Sequence, residues 1–196
     1  MYTLIARSAI EKEINIMKYM YFSLIGFYGF FEFYIQHKIK SENRTTVTDI
    51  TYFLIFIPFF LLFLSPIYCF YVYQYEPNII NFSLFIPLFL AGMAIRFKGY
   101  IDLGTNFSDK IELKSHQTLI NYGIYRYIRH PLYLASILMT ISVICYKCSY
   151  LTYIPALLTI IGIALRIYKE ENYLLLNFEG YQEYCKNTKR LIPGIF

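Results

Sequence analysis

Five apolar stretches with short polar joints between most of them constrain this 196-residue chain more than any other feature. They run from about Tyr19 to Ile35, Ile50 to Tyr73, Ile79 to Ile101, Leu132 to Tyr146 and Tyr150 to Tyr168. A helix needs roughly 17–25 mostly apolar residues to cross the hydrocarbon core of a bilayer. The fourth stretch is shorter than that, but only Lys147, Cys148 and Ser149 separate it from the fifth. The two read as a helical hairpin. Pro58, Pro66, Pro87 and Pro155 fall inside these stretches and would break soluble helices. In a membrane bundle neighbouring groups satisfy the freed carbonyls, so the prolines do not count against helix. Gly92, Ala94, Gly162 and Ala164 are small enough to let helices approach closely.

Composition agrees. The chain is 57% hydrophobic and 16% charged, with a mean hydropathy of +0.43, whereas soluble domains are roughly 25% charged. The expected fold is therefore all-α: a polytopic membrane protein with about five transmembrane helices, in one domain spanning 1–196. Arg7, Glu11, Lys12, Glu13 and Lys18 interrupt any early apolar run, so the start does not read as a signal peptide.

Basic residues segregate. Of the 18 Lys and Arg, only Arg7, Lys12, Lys18 and Lys147 fall on one side of the five-span topology. The rest lie in the 38–44 joint, the connector from Lys98 to Pro131 with nearby Arg96, and the C-terminal tail. The positive-inside rule puts the connector and tail in the cytoplasm and the N-terminus outside. The net charge of +5 belongs to this pattern, and no basic tract points to nucleic acid.

Several chemistries lack their residues. Cys145 and Cys148 have C-x-x-C spacing but no second ligand pair, and Cys69 and Cys185 stand apart, so no metal site is expected. No H-E-x-x-H, G-x-S-x-G, P-loop or G-x-G-x-x-G occurs. His37 reads as solvated and His116 lies in the connector.

Polar residues gather in two places. The connector is the longest polar stretch, and a loop of that length inside a compact protein is usually functional. At its end, Pro131 suits the first turn of a helix and His130 its N-cap. Helix N–H groups there, with Arg129, suit an anion. Ordinary capping explains the same residues. The second place is the end of the fifth stretch, where Arg166 and Glu170 share a helix face at i and i+4. They fit a zwitterionic ligand, a structural ion pair, or an arginine reaching for headgroups. Glu171 lies off that face and reads as solvated. Beyond Arg166 the spacing of Tyr173, Leu174, Leu176, Phe178, Tyr181 and Tyr184 predicts an amphipathic helix leaving the membrane, broken near Gly180.

Taken in order, the motifs are Leu103-Gly-Thr-Asn-Phe-Ser108, Leu119-Ile-Asn-Tyr-Gly-Ile-Tyr-Arg-Tyr-Ile-Arg-His-Pro-Leu-Tyr133, Arg166-x-x-x-Glu170-Glu171, Tyr181-x-x-Tyr184 and Lys189-Arg-Leu-Ile-Pro193. In this order, within 92–196, the chain resembles the isoprenylcysteine carboxyl methyltransferase family and its bacterial and archaeal membrane relatives, which shade into phospholipid N-methyltransferases. The resemblance implies a membrane enzyme that takes S-adenosylmethionine from the cytosol. It implies that Gln117, Thr118, Leu119, Ile120, Tyr125, His130, Pro131, Leu132 and Tyr133 enclose the cofactor, with Glu170 contacting it and Arg166 contacting the substrate. Family members often carry His where this chain has Gln117, with His116 displaced by one. The first two helices carry no family motif and are expected to shape a cavity for a lipid-like substrate.

The residues themselves suit methyl transfer. Glu170 suits a cation, and Tyr125 and Tyr133 can pack on an adenine or face a sulfonium. A carboxylate nucleophile needs only positioning, for which Arg166 is shaped. An amine would need a base, and no free carboxylate other than Glu171 offers one. The expectation is carboxyl O-methylation of an isoprenylcysteine-type substrate. Alternatives are phosphatidylethanolamine-type N-methylation and, because R-H-P-x-Y also occurs there, an NADPH-dependent sterol-type reductase.

Overall fold

A computed structural model describes residues 2–42, 50–106, 119–146 and 149–192. Six α-helices follow one another among them: α1 (Tyr2–Glu42), α2 (Ile50–Val72), α3 (Ile79–Leu103), α4 (Pro131–Tyr146), α5 (Tyr150–Asn177) and α6 (Tyr181–Asn187). Short 3-10 turns occupy Gly104–Asn106 and Gly123–Arg126. The fold is the all-helical membrane architecture expected. Three helices, α2, α3 and α5, are long and apolar enough to cross a bilayer, and α4 is a shorter apolar helix.

α1 is longer than its apolar stretch. It begins at Tyr2 and carries Glu11, Lys12 and Glu13 through exposed turns. Helical hydrogen bonds are satisfied within the segment whatever the side chains, so hydropathy marks the part suited to lipid and not the helix ends. α5 runs on to Asn177, and Gly180, with φ +79°, makes the left-handed break before α6.

Two close pairs organise the bundle, α3 against α4 and α2 against α5. Each depends on a glycine. A Cβ at Gly92 would lie 2.8 Å from Met139 Cγ and 3.0 Å from the Ala135 carbonyl; one at Gly162 would lie 2.6 Å from the Leu54 carbonyl. Backbones this close gain dispersion and Cα–H contacts that a larger residue would forfeit. Ala94 and Ala164 face outward and take no part. Ten residues before Gly162 on α5, the buried Thr152 hydroxyl lies 3.2 Å from Ser65 on α2, next to fully buried Pro66.

α1 joins through long side chains, not through close backbone approach. Tyr21 stacks on Tyr146 of α4 with ring centroids 4.7 Å apart and planes within 6°, and its hydroxyl donates to the Phe63 carbonyl of α2 at 2.9 Å. Phe85, Phe89, Leu62, Met139 and Val143 close the core around that stack. By contrast Gly26 and Gly29 of α1 have open space where a Cβ would stand.

Candidate active site

From Leu119 the connector is among the described residues, and it is pinned within a few of them. Gly123 has φ +59°, a region that side-chain-bearing residues avoid. A Cβ there would meet Asp102 Oδ2 at 2.0 Å. That contact exists because Asp102, buried at the end of α3, accepts the Ile124 N–H at 2.8 Å and is itself held by Lys98 at 2.6 Å. The tight turn aims Tyr125 inward, where its ring is buried. Burial, followed by the charge of Glu170, raises the Tyr125 pKa. Its carbonyl accepts the Tyr184 hydroxyl of α6 at 2.6 Å.

From there the chain pairs with the tail. Ile128 and Lys189 form a parallel bridge; the Arg129 N–H donates to the Lys189 carbonyl at 2.8 Å and the His130 N–H to the Arg190 carbonyl at 3.0 Å. Pro131 then opens α4, and the Leu134 N–H bonds back to the His130 carbonyl, as the missing proline donor and the N-cap position require.

Two carboxylates on neighbouring residues of α5 do different work. Glu170 Oε2 accepts the Tyr133 hydroxyl at 2.8 Å, and that hydroxyl accepts the Arg166 Nε–H at 2.9 Å. Arg166, 5% exposed, also donates to Thr51 Oγ1 of α2 at 3.0 Å. The i, i+4 pair is thus bridged by a tyrosine hydroxyl from another helix. Glu171 is not solvated. It is buried, and it takes Arg129 Nε at 2.8 Å, His130 Nε2 at 3.1 Å and Arg190 Nε at 2.7 Å. The anion beside Arg129 is therefore Glu171, a residue of the chain. The expectation of a solvated Glu171 failed because the tail folds back over that face of α5. Burial works against the Arg129 charge, but the hydrogen bond and charge of Glu171 outweigh it, and the Arg129 pKa rises.

A cavity of about 660 Å³ lies between these groups and α1 and α2. One wall is polar: Arg166, Glu170, Tyr133, Tyr125 and His130, with Glu32, Arg96 and Tyr100. The facing wall is apolar, built from Ile25 and Phe33 of α1 and Phe56, Phe59, Phe60 and Leu64 of α2. Phe33, Phe56 and Phe60 also reach the outer surface, at 70%, 50% and 55% exposure, so the apolar wall continues to the side of the bundle.

The isoprenylcysteine carboxyl methyltransferase family model matches residues 85–176, the stretch that carries the connector, α4 and the Arg166–Glu170 pair. The chain is similar to that family over just under half of its length. It is 24% identical over 193 residues to protein-S-isoprenylcysteine O-methyltransferase A of Arabidopsis thaliana, covering 94% of this chain and 96% of the relative. Its fold is similar to a solved structure of the eukaryotic intramembrane Ras methyltransferase of the same family, with a TM-score of 0.65 at 18% identity over 91% of this chain and 67% of the other. The likeness is to methyltransferases, which use a methyl donor.

In this chain Tyr125, His130, Pro131, Leu132, Tyr133, Arg166 and Glu170 all line the same cavity, as a shared site requires. Leu119 is half-buried and Ile120 buried, and neither lines it. Gln117 and Thr118 lie outside the described residues, as do His116 and Cys148.

Four cavity-wall or adjoining residues were not singled out in the sequence: Thr51, Tyr100, Glu32 and Arg96, the last counted only as a cytoplasmic charge. Glu32 pairs with Arg96, whose side chain lies across the Tyr100 ring. A signal for Glu32 existed. It is the one charged residue between Tyr19 and Ile35, and an ionisable group inside an apolar segment marks a site by default.

Proposed function

We propose that the chain methylates the carboxylate of an S-isoprenylcysteine-type lipid, with S-adenosylmethionine as methyl donor. The observation that carries this reading is the Arg166–Tyr133–Glu170 hydrogen-bond array on one wall of a cavity whose other wall is apolar and reaches the bundle's side. Such a cavity admits a molecule with a charged head and a greasy tail. Its volume falls within the roughly 300–1,000 Å³ of small-molecule sites.

The methyl donor fits the residues present. A cation placed beside Tyr133 meets an aromatic face and, 2.8 Å from its hydroxyl, the Glu170 carboxylate. S-adenosylmethionine supplies a methyl group on a positively charged sulfur. Glu170, Tyr125 and Tyr133 bind and orient it, and His130 and Pro131 close the α4 end. Arg166 holds the acceptor carboxylate by charge-assisted hydrogen bonds, for which its fork of N–H donors is shaped. A carboxylate oxygen forms its bond to the methyl carbon as the carbon–sulfur bond breaks and its electron pair returns to sulfur. No proton moves, so no base is needed. Alignment of the two partners supplies most of the rate. In this reading the connector and C-terminus face the cytoplasm, where the donor is found, and the N-terminus faces outward.

The test uses the full chain purified in detergent with methyl-labelled S-adenosylmethionine and, separately, an S-farnesylcysteine and phosphatidylethanolamine. Carboxyl methylation gives label in the prenylcysteine that mild base releases as methanol. Base-stable label in the phospholipid alone would replace this reading with N-methylation. Consumption of NADPH with an enone lipid, and no methyl transfer to either acceptor, would replace it with reduction.

A further inference from the structure

We infer that Glu32 of α1 and Arg96 of α3 are positioning residues for the reaction: a latch through which the first helix holds the opening turn of α4, and with it Tyr133, in place. The inference rests on the methyl-transfer reading for its kinetic consequences but on geometry alone for the latch.

The guanidinium of Arg96 is used on every side. Its Nε and Nη2 donate to the two oxygens of Glu32, the latter at 3.1 Å. Its Nη1 donates to the Leu132 carbonyl at 3.3 Å and to Ser136 Oγ at 3.1 Å. Ser136 Oγ in turn donates to the same Leu132 carbonyl at 3.1 Å. Leu132 is the residue before Tyr133, whose hydroxyl joins Arg166 to Glu170. Tyr100 completes the cluster by donating to Glu32 Oε2 at 3.1 Å, with its ring 5.4 Å from the Arg96 guanidinium carbon. Carbonyl and hydroxyl of one α4 turn thus share a single cation with a carboxylate of α1.

The position of this cluster gives it its effect. α1 makes no close backbone approach to the bundle, and Gly26 and Gly29 face open space. Its buried aromatic anchors, Tyr21 and Tyr28, lie in turns before Glu32, and beside Glu32 the Phe31 ring meets Phe97 and Tyr100 of α3. At the cavity itself Glu32 is the polar tie among the described residues. One turn on from Arg96, a Cβ at Gly99 would lie 2.8 Å from Leu132 Cδ2, so α3 and α4 meet tightly at this level. A shift of α1 that withdrew Glu32 would leave a part-buried cation paired only with helix oxygens, and the α4 turn would move to compensate. The family model starts at residue 85, so it covers Arg96 and leaves Glu32 outside. The latch therefore joins a helix without family motif to the reaction site.

The experiment compares wild type with Glu32→Gln, Arg96→Met and the double variant Glu32→Leu/Arg96→Met, all as full chain in detergent. Three quantities are read: thermal unfolding, hydrogen exchange of peptides spanning 131–140, and steady-state kinetics with an S-farnesylcysteine. The latch predicts faster exchange at 131–136 in all three variants, and kcat lowered about tenfold with the acceptor KM changed far less. The double variant, which leaves no unpaired charge, should regain most of the thermal stability and keep both defects. A double variant that recovers stability, exchange and kcat together would overturn the latch and leave an ordinary structural ion pair. So would unchanged exchange at 131–136 in Arg96→Met. If wild type methylates nothing, the functional reading fails, and exchange still decides the latch.

Discussion

Tyr133 is the residue on which the proposed site turns. Its hydroxyl accepts from Arg166 and donates to Glu170, so one oxygen sets the distance between the group assigned to the acceptor and the group assigned to the donor. Tyr133→Phe keeps the ring and the packing and removes that link. Lost alignment of this kind lowers rates by up to about a hundredfold, so kcat should fall about tenfold to a hundredfold, with a raised KM for S-adenosylmethionine. Arg166→Ala, by contrast, should abolish turnover while equilibrium binding of S-adenosylhomocysteine is largely kept. Glu170→Ala should weaken that binding. Titration calorimetry beside initial rates separates the three. Equal loss of binding in all of them would contradict the division of roles.

At the scale of elements, the bundle relies on two kinds of contact. The α2–α5 pair depends on Gly162, with the Leu54 carbonyl where a side chain would start. Gly162→Val forces the helices apart, and overpacking of this kind costs about 1–3 kcal/mol. It should show as a lowered Tm in detergent, and an unchanged Tm would mean that the helices part without cost. The tail is held differently. Glu171 draws Arg129, His130 and Arg190 together, and two backbone hydrogen bonds align 189–190 with 129–130. Arg129 adds the Thr188 carbonyl at 2.5 Å and the Cys185 carbonyl at 3.2 Å. Glu171→Gln leaves part-buried Arg129 without its counter-charge, which costs at most about 3–5 kcal/mol, the figure for one partner of a fully buried pair. The tail should then detach, and limited proteolysis should cut near 178–192 well before it cuts the helices. Burial of Tyr184, offset in part by Arg129, lifts its pKa to about 12, so its hydroxyl stays protonated and able to donate to the Tyr125 carbonyl across the neutral range.

At the scale of the whole molecule, three charged clusters gather beside one cavity. The Arg166–Glu170 array, the Glu171 hub and the Glu32–Arg96 pair belong to five helices and the tail, yet each contributes residues to the wall of one cavity, the hub through Arg129 and His130. The opposite wall is aromatic and open to the side, as a protein that draws a lipid from the bilayer needs. Orientation is the prediction at this scale. An epitope at the N-terminus should react on intact cells, and one at the C-terminus only after the membrane is permeabilised. Reactivity of both on intact cells would break the charge-based topology. The alternation of basic residues across the joints is the basis for it.

Read by itself, the sequence determined what local physics controls. Apolar length announced α2, α3 and α5, proline marked the start of α4, and Gly180 marked the break before α6, because each acts through its own backbone or its own transfer from water. The i, i+4 rule put Arg166 and Glu170 on one face for the same reason. Only the tertiary structure decided the partners. Tyr133 bridges that pair from a different helix, Glu171 faces the returning tail, and Glu32 meets Arg96 across 64 positions of sequence. Such contacts depend on which helices lie side by side, and a charge that looks solvated or excess along the chain finds its counter-ion only when distant backbones are packed together.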